Sequence, residues 1–172
     1  DEPHNPGSSM KPFDLTAFLK LGRGLDARFD GTSPRTFPGV DLPIRNAGDS
    51  SSCSQQCTVA EAMMRSANTV FYDMVLNQTH QAPVKEAARQ AGVKTKTDDG
   101  GQSIISTKDN NISLGGGETQ ITPLDMASAY ATFAANGQKR DRHFVQKVTN
   151  AQKEVAYEAS ADAKPAFDSD AD

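Results

Sequence analysis

Ser8 stands three residues before Lys11 in the run Asn5-Pro6-Gly7-Ser8-Ser9-Met10-Lys11. Residues three apart on a helix share a face, so the lysine amine comes within hydrogen-bond reach of the serine hydroxyl. A serine hydroxyl is a weak nucleophile until a base takes its proton. Lysine serves as that base when burial or a nearby positive charge leaves its amine partly neutral. The same spacing also describes a helix cap followed by a solvated lysine, since both residues are common. Ser66-Ala67-Asn68-Thr69 is a second element, set between two amphipathic stretches where a short break exposes a hydroxyl beside a carboxamide. Ser8-x-x-Lys11 is the only Ser-x-x-Lys in the chain, and Ser66-x-Asn68 the only Ser-x-Asn.

For Ser8 and Lys11 to meet, a helix has to begin at the serine. Met10, Phe13, Ala17 and Leu21 recur at helical spacing and predict one from Ser8 to Leu21, broken by Gly22 and Gly24. Pro12 falls in its first turn, where proline is tolerated. Residues 25–57 are rich in Gly, Pro, Ser and Asp and read as a long irregular connection, of a length that is usually functional. Thr58 and Glu61 form a capping-box pattern, so a helix starts at Val59 and ends near Arg65. After the Ser66-Ala67-Asn68 break, Val70, Phe71, Met74 and Val75 predict the next helix, to about Asn77. Pro83 to Ala91 reads as a short helix stopped by Gly92.

Further on, residues 94–111 read as a polar loop with a short strand at Ser103 to Ser106. Thr122 as N-cap, Pro123 at the first helical position and Asp125 in the first turn announce a helix ending before Gly137. Its apolar residues cover most of its circumference, which predicts deep burial, with Tyr130 and Phe133 in the core. Phe144 to Val148 and Glu154 to Tyr157 read as a hairpin around Asn150-Ala151-Gln152, and the residues from Ser160 on as a loose acidic tail.

Ser-x-x-Lys, a Ser-x-Asn-type element and Lys-Thr-Gly together mark penicillin-binding proteins and class A β-lactamases. Two of the three are here, in order. The segment Pro6-Gly7-Ser8-Ser9-Met10-Lys11-Pro12-Phe13 resembles the nucleophile segment of a penicillin-binding transpeptidase, and Thr58 to Phe71 resembles its second-motif helices. Leu114-Gly115-Gly116-Gly117-Glu118 and the stretch from Ile121 to Gly137 resemble the loop and helix of class A, bifunctional penicillin-binding proteins. The likeness extends over roughly residues 3 to 150.

That resemblance implies an α/β fold of the penicillin-binding-protein and serine β-lactamase type, represented mainly by its helical part with few strands. Residues 1–159 would form a partial transpeptidase domain, and 160–172 a tail or linker toward a downstream segment. It implies that Ser8 attacks a D-Ala-D-Ala stem peptide and carries the acyl group, with Lys11 as general base, Ser66 as proton relay and Asn68 binding the substrate amide. Peptidoglycan stem peptides and β-lactams would be its partners, acting on the outer side of the bacterial membrane. No metal or cofactor is implied. Neither Lys-Thr-Gly nor Lys-Ser-Gly occurs; Lys94-Thr95-Lys96 and Lys96-Thr97-Asp98 lack the glycine and come too early. The chain is therefore expected to be a fragment, completed by flanking segments of the same protein and reacting slowly or not at all with β-lactams on its own.

Two other functions compete. A penicillin-sensing or peptidoglycan-binding module would keep the fold without turnover. A serine β-lactamase would need a carboxylate to activate water, and no segment resembles that family's glutamate-bearing loop.

The composition narrows the field further. A net charge of −4 across 172 residues carries no basic stripe for a phosphate backbone, which argues against nucleic acid. No run approaches the ~18 apolar residues that span a bilayer, so no membrane contact is expected from this segment. Cys53 and Cys57 are too few for a zinc site, with histidines scattered at 4, 80 and 143. A small disulfide loop or two free thiols remain as readings of the pair. Gly115-Gly116-Gly117 lacks the Gly-Lys-Ser/Thr ending of a phosphate loop, and His80 and His143 have no triad signature around them.

Overall fold

The computed structural model describes residues 1–48 and 53–167. The polar run at 49–52 and the last acidic residues, 168–172, lie outside the described residues. Among the described residues five α-helices dominate: α1 (Lys11–Lys20), α2 (Val59–Arg65), α3 (Asn68–Met74), α4 (Gln81–Ala91) and α5 (Pro123–Ala134). The described residues also form six short strands that pair in twos, all antiparallel: β1 (Arg28–Phe29) with β2 (Cys57–Thr58), β3 (Gln138–Arg140) with β6 (Ala163–Pro165), and β4 (Lys147–Thr149) with β5 (Val155–Glu158).

The first helix sits between two apolar clusters. Met10, Phe13 and Ala17 pack with Val84, Ala88, Ile112 and Ala129, while Phe18 joins Val59, Ala62, Val70, Phe71 and Met74 on another side. Burying a side chain such as Phe13 stabilises the fold by about 1.5–3 kcal/mol. With apolar neighbours on several sides, α1 is held rigidly, and anything on its inner face is forced out of water. Lys11 and Asp14 are both on that face, 1% and 0% exposed.

The expected elements form, with shifts that have local causes. Gly7–Met10 is a 3-10 turn leading into α1, so Ser8 precedes the α-helix proper. Thr58 and Glu61 make the capping box in both directions. The helix after the break starts at Asn68, two residues earlier than its apolar positions suggested, and runs on as a π-turn over Val75–Thr79. His80, at φ 58°, ends that turn, and α4 begins at Gln81 rather than Pro83. At Ser103 to Ser106 there are only isolated bridges, Thr95 with Ser103 and Ile104 with Gln120.

Three expectations fail. The last helix, α5, is not deeply buried: among its residues only Asp125, Ala129 and Thr132 are, and Tyr130 is 40% exposed rather than in the core. Alanines on every side made its circumference look apolar, but the helix packs by one face against α4. Phe133 is half-buried and does pack against the core. Residues 160–167 are not loose, because β6 pairs with β3 and Phe167 stacks on Phe133 at 5.3 Å between ring centres. The hairpin forms but is shorter, and Phe144 lies outside it, almost fully exposed.

Candidate active site

Two segments meet at Lys11 and a third braces them. The first is the turn that carries Ser8. Gly7 adopts φ 58° and donates its N–H to the Gly115 carbonyl at 3.1 Å, while the Asn5 side chain donates to the Thr119 carbonyl at 2.7 Å. The glycine loop read from the sequence is thus the seat of the turn that carries Ser8. Tyr130 adds a third tie, its hydroxyl donating to the Ser9 carbonyl at 3.1 Å.

The second segment joins α2 to α3. Ser66 caps α2 in the left-handed conformation, φ 54°, and Ala67 is extended, which turns both the carbonyl and the hydroxyl of Ser66 toward Lys11. The third is the long connection before Thr58. Its Asn46 accepts the Thr69 N–H at 3.0 Å and donates to the Gly31 carbonyl at 3.2 Å, tying the start of α3 to that connection. Asn68 donates from Nδ2 to the Arg45 carbonyl at 2.8 Å, and this fixes which way its amide faces. At the side of α3, Arg35 pairs with Asp73 at 2.9 Å.

All four candidate residues named from the sequence meet here. Lys11 Nζ lies 2.9 Å from Ser8 Oγ, 2.9 Å from the Ser66 carbonyl, 2.8 Å from Ser66 Oγ and 2.6 Å from Asn68 Oδ1. Ser66 Oγ is 3.0 Å from Ser8 Oγ. Two of the four neighbours of the amine, the Ser66 carbonyl and Asn68 Oδ1, can only accept. A neutral amine gives them its two N–H bonds and keeps its lone pair for a hydroxyl proton. That is the arrangement a general base requires.

Burial supplies the rest. Ser8 is exposed while Lys11 is buried beneath it. Desolvation lowers the lysine pKa from 10.5 to about 8, opposed by the Asp14 carboxyl, which raises it. The Phe71 ring, 5.7 Å from Nζ, offers some support to the charged form.

Asp14 and Asn46 were not found from the sequence. Asp14 falls at helical spacing from Met10, among the apolar positions of α1, and asking which charged residues share that stripe would have exposed it. Asn46 had no signal, since it lies in an irregular segment and bonds a residue 23 positions away, beyond β2 and α2. Cys53 and Cys57 are joined in a disulfide, which leaves neither sulfur free to bind a metal beside Glu61. His80 and His143 are exposed.

Residues 1–170 match the penicillin binding protein transpeptidase domain family. Penicillin-binding protein 1A of Mycobacterium tuberculosis is 40% identical over 162 residues, covering 90% of this chain and 19% of that protein. The chain therefore spans about a fifth of the length of such curated relatives. The structure of the PonA1 protein from Mycobacterium tuberculosis in complex with penicillin V is 35% identical, with a TM-score of 0.77, covering 95% of this chain and 43% of that one. PBPA from Mycobacterium tuberculosis shares the fold at a TM-score of 0.84 with 20% identity, over 96% of this chain and 41% of that one.

Proposed function

Because the chain belongs to the penicillin-binding protein transpeptidase family, we propose that it carries the nucleophile half of a D,D-transpeptidase site that crosslinks peptidoglycan stem peptides and is acylated by β-lactams. Ser8 Oγ attacks the penultimate D-alanine carbonyl as Lys11 Nζ takes its proton. The C–N bond to the terminal D-alanine then breaks, and the proton reaches the departing nitrogen through Ser66. An amine from a neighbouring stem enters by the reverse proton path and releases Ser8. Asn68 has one Nδ2 hydrogen beyond the one given to Arg45, available for a substrate amide carbonyl.

The Ser8 amide, at the head of its turn, supplies one donor to the developing oxyanion; each such donor is worth a few kcal/mol in the transition state. The second donor and the group that grips the substrate carboxylate come, on this reading, from a Lys-Thr-Gly strand elsewhere in the same protein. Similarity to a protein solved with penicillin V supports β-lactam recognition. The whole protein acts outside the cytoplasmic membrane; among the described residues no helix is long and apolar enough to cross one.

The observation that carries this reading is the Lys11 amine bonded at once to Ser8, Ser66 and Asn68. Release of D-alanine from a stem-peptide mimic by the full-length protein tests it. Covalent capture of penicillin without any D-alanine release would instead identify a sensor.

A further inference from the structure

Asp14 is the one described residue whose side-chain oxygens are both buried and without any hydrogen-bond partner. It lies three residues after Lys11 on the inner face of α1, so the two side chains share that buried face. Its oxygens make no ion pair within 4.0 Å. An acid kept in such a place, at a cost in stability, is unexplained by packing alone.

The surrounding elements supply no other charge for either residue. On α3, Asp73 is held by Arg35; on α4, Lys85 pairs with Asp98 and Arg89 with Glu86 and Asp99. The π-turn Val75–Thr79 carries no charged residue, and Asp109 caps the turn at Asn110–Leu114. On α5, Asp125 is paired with Arg142, and the Tyr130 hydroxyl is engaged with the Ser9 carbonyl. Tyr72 packs on Phe37.

Resting on Lys11 being the base, we propose that Asp14 is a positioning residue that acts through it: one turn further along the buried face and without bonding to the amine, its carboxylate favours the protonated amine through space and sets the pH range in which Lys11 is a free base. The mutual influence agrees with this placement. Burial drives the Asp14 carboxyl well above its usual range while Lys11 pulls it down, and Asp14 in turn raises Lys11. The two ionise as a coupled pair.

The test is the rate of penicillin acylation against pH in the full-length protein and its Asp14→Asn variant, which keeps the volume and cannot ionise. The acid limb is expected to move to lower pH by about one unit, because the negative charge that favours the protonated lysine is gone. A folded variant whose limb coincides with the wild type overturns the proposal; a merely structural carboxyl would alter thermal stability and leave the limb in place. Should the variant fail to fold, NMR titration of the Lys11 Cε in the wild type decides the matter. Two inflections support coupling, and a single one refutes it. That titration needs no acylation, so it separates this proposal from the transpeptidase reading, which falls if penicillin never labels Ser8.

Discussion

The backbones of Gly7 and Gly115 touch. The Gly7 N–H donates to the Gly115 carbonyl at 3.1 Å, and a Cβ added at Gly115 would collide with the backbone of Gly7. Gly115 also adopts φ 61°, in the left-handed region that favours glycine. Gly115→Ala should therefore displace the turn bearing Ser8. Acylation by penicillin is expected to fall at least tenfold with helix content retained, measured by stopped-flow binding and circular dichroism on the full-length protein.

Lys11→Met should remove the proposed base and leave the fold close to wild-type stability. Loss of general-base catalysis typically costs about 10²–10⁴ in rate. Methionine has similar length and buries no amine, which offsets the donors lost to the Ser66 carbonyl and Asn68 Oδ1, so the midpoint of thermal unfolding should change little while acylation collapses. A marked drop in that midpoint would show that the amine is structural.

Acylation should rise with pH through about 8 and level off above, following the free amine of Lys11. Stability carries a related signature. The folded lysine pKa lies below its unfolded value of 10.5, so between about 8 and 10.5 the unfolded chain holds the extra proton and stability rises with pH. Asp14 works oppositely: its raised folded pKa makes stability fall as pH climbs from 3.8 through that value. Urea denaturation across pH, compared with Lys11→Met, should show the upper rise vanish in the variant.

Asn46→Ala should loosen the start of α3. It removes the acceptor for the buried Thr69 N–H and the donor to Gly31, at about 1–3 kcal/mol. With Asn68 less firmly held, hydrogen exchange at Asn68 to Val70 should quicken. Acylation should fall less than in Lys11→Met.

Much of the site was legible because its parts are local. Ser8 and Lys11 are joined by helix geometry, and the Thr58–Glu61 capping box, present in both directions, fixes where α2 begins and so where Ser66 and Asn68 fall. What was missed depends on contacts distant in sequence. Asn46 reaches α3 from an irregular segment without periodicity, and the bonding of Gly7 to Gly115 spans most of the chain. Tyr130 was misplaced because an alanine-rich helix looks apolar all round, whereas burial depends on which face meets α4. The β3–β6 pairing was hidden because Lys139, Arg140 and Lys164 do not alternate with apolar residues; its order comes from the backbone and from Phe167 against Phe133.

The central claim is that the buried amine of Lys11 makes the Ser8 hydroxyl the reactive nucleophile. Mass spectrometry of the full-length protein after benzylpenicillin treatment, with peptide mapping, measures this directly. A single penicilloyl adduct on Ser8, lost in Lys11→Met, is the expected result. An adduct on another residue, or undiminished labelling of Ser8 in that variant, would contradict the account.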